Sequence, residues 1–294
     1  MIALLLALAT AQPVDSMARF ITTAPAESLK VTAVGPANGP VVVIIPGLIS
    51  PAYAFRKILP GLETAGLRTV IIEPLGVGWS SRPDKADYSH TAQAARIAAI
   101  MDTLHLSHVT MMGHAVGTAM ALRLVAARPD LVDRLLLVEG VALESAAVPG
   151  VQQALKFSFL VKLFAGKGRI KKELKKGLMA TSGDTTWVTD SVIENYAAGP
   201  AGDMGQVLRG LKGMQRAVEP DSLRPKLNGI TIPVRLLVGG AVHTGGVGEG
   251  RIRTGERRIP DFQYRTIIGA GLHIHEEQPD QVVKYLLMLQ RKEW

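Results

Sequence analysis

The chain has 294 residues, 47% of them apolar, enough to bury a large core in one domain carrying an insertion, or in two domains. It has no cysteine, which excludes disulfides, thiolate metal sites and a cysteine nucleophile. The net charge of +8 is local: between Lys156 and Lys176 eight basic residues face one acid, Glu173, so the remainder is nearly neutral and a general nucleic-acid surface is not expected.

At the N-terminus, Ile2 to Ala9 is an unbroken apolar stretch followed by Ala9-Thr10-Ala11, so residues 1–11 read as a short signal peptide. That reading implies a secreted or periplasmic protein. With Met17 as the start, the protein would instead be cytoplasmic. The stretch is too short to span a bilayer.

Residues 29–33 and 41–45 read as strands, separated by the turn-forming run Gly35 to Pro40. The second is continuously apolar, as expected of a strand covered on both faces. Ala52 to Leu62 reads as a helix, 68–73 as a strand, and Gly76-Val77-Gly78-Trp79-Ser80 as a loop. Thr91 to Leu104 has helical spacing, with Ala92, Ala95, Ala99, Ile100 and Leu104 on one apolar face.

Val109 to Leu122 follows, and it organises the chain. An apolar run enters Gly113-His114-Ala115-Val116-Gly117 and leaves as an alanine-rich helix, the strand, sharp turn and helix of a nucleophile elbow. The turn residue is strained, so the positions two before and two after it must be small. Gly113 and Gly117 meet that need. The apex is Ala115, whose methyl cannot attack a substrate. Residues 134–138 are a further buried strand ending at Glu139-Gly140. From about 142 to 228 the pattern is helical without a strong strand. Strands resume at 233–238 and 264–268, and 280–290 is a terminal amphipathic helix. The expected organisation is a core of residues 12–141 and 229–294 with a helical cap, 142–228, inserted after the sixth strand.

These motifs, in this order, resemble the α/β-hydrolase family, in particular the capped members around haloalkane dehalogenases, epoxide hydrolases and C–C bond hydrolases. The resemblance covers about residues 29–290 and implies a mostly parallel sheet flanked by helices. Pro46-Gly47 stands where the family has His-Gly, Gly76 to Ser80 matches its Gly-x-Gly-x-Ser turn, and Gly269-Ala270-Gly271-Leu272-His273 resembles the loop bearing the catalytic base.

The resemblance implies a nucleophile, a base, an acid that orients the base, and two oxyanion N–H groups. Ala115 occupies the nucleophile position, and neither His114 nor Thr118 projects from the same apex. The commonest acid position, after the seventh strand, holds His243; the alternative position after the sixth strand holds Glu139. The base position is Leu272 when counted back from Pro279 and His273 when counted forward from Gly269. His273 is preferred because Glu139 follows the same dehalogenase pattern. Backbone N–H groups of Leu48 and Val116 would form the oxyanion hole, beside Gly47 and His114. Leu48 and Val116 also replace the Asn and Trp of a dehalogenase halide site, which argues against dehalogenation. His275 reads as a surface histidine. A His243, His273, His275 cluster has no recognised ligand spacing, so no metal and no cofactor are expected.

The basic segment 156–176 also carries Phe157, Phe159 and Phe164. It reads as an ordinary cap with its apolar face over the pocket, the alternative being weak contact with an anionic membrane surface. The oligomeric state stays open. Three functional readings follow: a degenerate family member that binds a small apolar or ester-like ligand, a cofactor-free enzyme using His273 and Glu139, and an ordinary serine hydrolase carrying Ala at position 115. Departures at both Ala115 and His243 favour the first.

Overall fold

The computed structural model describes residues 17–141, 167–199 and 204–294. Its eight strands form one sheet in the order β1-β2-β4-β3-β5-β6-β7-β8. They are β1 (Ala18–Ala24), β2 (Glu27–Val34), β3 (Val41–Ile45), β4 (Arg68–Ile72), β5 (Val109–His114), β6 (Val132–Val138), β7 (Val234–Gly239) and β8 (Phe262–Ile267). β1 and β2 are antiparallel additions at one edge, and β4-β3-β5-β6-β7-β8 run parallel.

The apolar runs of the sequence become the centre of this sheet. Successive side chains of a strand point to opposite faces, so a run without polar residues is stable only where both faces are covered. Val43, Ile45, Met111, Leu135 and Leu137 are buried on one face, and Val42, Ile44, Met112, Leu136 and Val138 on the other. The first face packs under α2 (His90–Thr103) and α3 (Gly117–Ala127), the second under α9 (Pro279–Arg291) and the segment after β3. The Ser89 hydroxyl caps α2 by accepting the Ala92 N–H at 3.1 Å.

Three local outcomes differ from expectation. The helix expected over residues 52–62 divides into a 3-10 turn, Ala52–Phe55, and a short α1, Leu59–Thr64. Pro60 lacks an N–H and its ring clashes with the carbonyl four residues earlier, so it fits only in a first turn, where it sits. β1 was not foreseen, because as an edge strand it is largely exposed, Phe20 included, and shows little alternation. Nor was α7 (Glu249–Arg258), whose two glycines and six charged residues leave only Ile252 as an apolar signal.

Between β6 and β7 the described residues hold three α-helices, a 3-10 turn at Arg224–Gly229 and no strand: the helices are α4 (Lys167–Thr181), α5 (Asp190–Ala197) and α6 (Met204–Arg216). The basic residues from Lys167 onward lie in α4; Lys171 pairs with Glu194, and Lys175 with Asp190 at 2.7 Å, joining α4 to α5. Lys156, Lys162 and the three phenylalanines lie outside the described residues, as does the leader expected at 1–11. Among the described residues no helix is long and apolar enough to cross a membrane. A short α8 (Ile274–Glu277) follows the loop after β8.

Candidate functional site

The elbow is built as its glycines require. Ala115 has φ +49°, the left-handed region that L residues avoid. A Cβ on Gly117 would lie 2.4 Å from the Ile45 carbonyl oxygen, and one on Gly113 would lie 2.8 Å from the Thr118 Cα. Strand and helix therefore approach too closely for any side chain at either position. The Ala115 N–H donates to the Val138 carbonyl at 2.9 Å, which fixes the apex against β6. The Thr118 hydroxyl beside it is committed elsewhere: Oγ1 donates to the Ala115 carbonyl at 2.6 Å and lies 3.3 Å from that of Val141.

Gly47 abuts the apex, since a Cβ there would lie 3.2 Å from the Ala115 methyl. Among the described residues no hydrogen bond uses the N–H of Leu48 or Val116, so both donors remain unspent beside the elbow. The side chains of Leu48 and Val116 meet Val77, Met120, Leu211 and Met214 around a narrow cleft of about 10 Å³, whose wall also includes Tyr88, His90 and Gln93. Leu211 and Met214 come from α6, so a cap helix closes this cleft over the core.

Glu139 and His273, expected as acid and base, share no hydrogen bond. Glu139 is buried at the end of β6 with φ +51°. Its carboxylate accepts the backbone N–H of Gly239 and, at 3.1 Å, that of Val247. The imidazole facing it belongs to His243, with Nε2 3.7 Å from Glu139 Oε2 and Nδ1 donating to the Ala241 carbonyl at 2.8 Å. Burial raises the Glu139 carboxyl above its ordinary value, opposed by the Gly239 N–H and then by His243. The adjacency of β6 and β7 explains the exchange of partner: both loops leave the same end of neighbouring strands.

His273 precedes α8 and is fully buried. Its ring packs against Trp187 and His114, and its Nε2 lies 3.0 Å from Thr181 Oγ1 at the end of α4. Leu272, the other base candidate, is half-buried; its N–H donates to the Thr181 carbonyl at 2.8 Å and its carbonyl lies 3.0 Å from His114 Nε2.

His275 is not at the surface. It is fully buried, stacked on Phe55 at 4.7 Å and edge-on to His114 at 4.5 Å. The turn of α8 directs it inward, which the spacing in one loop does not reveal. His114, His273 and His275 thus form one buried group, and His243 is not its third member. Burial pushes His114 down to about 4, against the pull of the Leu272 carbonyl, and holds His273 and His275 well below the usual imidazole range. Sequence reasoning missed Glu276, whose buried carboxylate receives Arg56 and, at 2.9 Å, the Tyr196 hydroxyl of α5.

The model of the alpha/beta hydrolase fold matches residues 40–189. The chain belongs to the α/β-hydrolase fold family. This member is 32% identical over 107 residues to a haloalkane dehalogenase of Mycolicibacterium paratuberculosis, covering 36% of each chain. It is 30% identical over 95 residues to the magnesium-chelatase 30 kDa subunit of Rhodobacter capsulatus, covering 32% of this chain and 33% of that one. It therefore spans only about a third of the length of these curated relatives. Across nearly the whole fold it superposes on Cfl2 of Burkholderia cenocepacia with a TM-score of 0.76 and 22% identity, covering 92% of this chain and 94% of the other.

Proposed function

We propose that this α/β-hydrolase-fold protein binds a small apolar or ester-like molecule and does not form a covalent intermediate with it. The observation that carries this reading is Ala115 at the apex, in the strained conformation that elsewhere presents a nucleophile and here presents a methyl. The Thr118 hydroxyl, spent on backbone carbonyls, offers no substitute. The unspent N–H groups of Leu48 and Val116 supply two donors for a ligand oxygen, and the apolar side chains between core and α6 would supply its remaining contacts once α6 moves outward, because the cleft there has only about 10 Å³. That one relative bears the name of a chelatase subunit and not of a hydrolase agrees with a non-hydrolytic role.

The test is turnover and binding of p-nitrophenyl acetate and butyrate. The natural protein is expected to hydrolyse neither above the buffer rate, while a non-hydrolysable butyramide analogue raises the Tm. Met120→Trp, which thickens the wall facing α6 and leaves no room for a ligand, is expected to abolish that rise. Ala115→Ser is expected to gain less than about tenfold over the natural protein, because restoring the nucleophile does not restore a base–acid pair. A gain of about a thousandfold would overturn the proposal and make Ala115 a lone lesion in a serine hydrolase.

A second reading, acid–base chemistry without a covalent nucleophile, is favoured by one observation: Glu139 faces His243 across 3.7 Å inside the fold. It requires activity that disappears in both Glu139→Gln and His243→Gln and persists in His273→Gln.

A further inference from the structure

The Ala115 elbow leaves the three histidines behind it without an assigned task. One ring nitrogen from each of His114, His273 and His275 lies within 4.8 Å of those of the other two, and all three residues are buried. Buried polar atoms are ordinarily hydrogen-bonded, because leaving one unpaired costs about 1–3 kcal/mol. Here three ring nitrogens have no partner: His273 Nδ1 and both nitrogens of His275.

The hydrogen bonds that do exist set the tautomers. Thr181 Oγ1 has one proton and lies within donating distance of the carbonyls of Gly177 and Leu178, at 3.0 and 3.1 Å. With that proton on either carbonyl it accepts from His273, the tautomer in which Nε2 carries the hydrogen and Nδ1 keeps a lone pair. His114 Nε2 donates to the Leu272 carbonyl at 3.0 Å, leaving a lone pair on Nδ1, 3.3 Å from the Ser50 hydroxyl. Each of these two imidazoles thus has one nitrogen anchored to a protein oxygen and a lone pair on the other, as histidine ligands of metals do. His275 offers either nitrogen. The nearby cations Arg56 and Lys57 are both tied to Glu276, which offsets their repulsion of an incoming ion.

We propose that His114, His273 and His275 form a three-histidine site for a borderline divalent cation of the zinc class, with the fourth position left to the Ser50 hydroxyl or water. A donor set of three imidazoles and no carboxylate selects zinc, cobalt or copper over magnesium or calcium. Zinc–nitrogen bonds of about 2.1 Å place tetrahedral ligand atoms about 3.4 Å apart, so the rings close inward on binding.

The test uses the full chain, stripped with a chelator and titrated with cobalt(II) and zinc(II) chloride. Expected results are one ion per chain, the intense visible bands of tetrahedral cobalt, and a zinc-dependent rise in Tm. His275→Phe keeps the ring stacked on Phe55, and His273→Gln keeps a polar group beside Thr181; each is expected to reduce uptake at least tenfold. Uptake below a tenth of an ion per chain by the natural protein overturns the site, as does equal uptake by both variants, which would put the ion elsewhere. Should the variants not fold, imidazole nitrogen resonances of the natural protein decide: zinc must shift those of three histidines, and unshifted resonances refute the proposal.

Discussion

Ala115 bears the conformational cost of an elbow without the nucleophile that usually justifies it. An L residue near φ +49° carries about 1–2 kcal/mol of strain, and glycine carries almost none. Ala115→Gly is therefore expected to raise the unfolding free energy by about 0.5–1 kcal/mol in urea, after allowing for the freer unfolded chain. Ala119→Gly, inside α3 with ordinary helical backbone, should lose about 1 kcal/mol or more. Equal losses at both positions would contradict strain at the apex. Tyr88 makes a second prediction at this scale. Burial raises its phenol to about 12, while Arg82 and Arg96 pull it down. The native state thus keeps a proton that the unfolded chain releases near pH 10. Stability contributed by this group is complete below pH 10 and declines as pH climbs toward 12, and the ultraviolet titration of Tyr88→Phe should lack that late phenolate step.

At the scale of elements, the approach of α3 to the end of β3 tolerates no added atom. Gly117→Ala would push a methyl to 2.4 Å from a main-chain oxygen of β3, which has no rotamer to escape into. A loss of about 3 kcal/mol or more is expected in chemical unfolding. Ser89→Ala, which removes only the cap of α2, should lose about 1 kcal/mol, and the difference separates backbone collision from a lost hydrogen bond. β3, β5, β6 and β7 were legible because strands buried on both faces are continuous apolar runs, a signal local to each segment. β1 and α7 were not, because neither carries an apolar pattern of its own: β1 is an edge strand with no buried residue, and α7 has Ile252 as its one large apolar side chain.

At the scale of the molecule, Glu276 joins the two parts of the fold. Its carboxylate binds Arg56 and the Tyr196 hydroxyl of α5, and its carbonyl accepts from Lys57 at 2.6 Å. Glu277 does the same beside it, accepting the N–H groups of Gly183, Asp184 and Gly271. Glu276→Ala leaves the Tyr196 hydroxyl buried without an acceptor. It is expected to lose about 2–4 kcal/mol, less than a wholly buried pair because Arg56 is partly exposed, and to hasten proteolysis between β6 and β7. An unchanged cleavage rate there would mean that α5 is held by its apolar contacts alone.

The elbow, its two glycines and its empty apex were determined by the sequence alone, because strand, turn and helix there are set by residues within fourteen positions. So were the sheet centre and the family. Which side chains face one another was decided only by the tertiary structure. Glu139 meets His243 instead of His273 because β6 and β7 are neighbours, and His275 is buried because α8 turns it onto Phe55. The three histidines converge from the end of β5, the loop after β8 and α8, with His273 and His275 lying 159 and 161 residues beyond His114 in the chain. No spacing rule spans that separation; parallel strands that end on one edge of the sheet do.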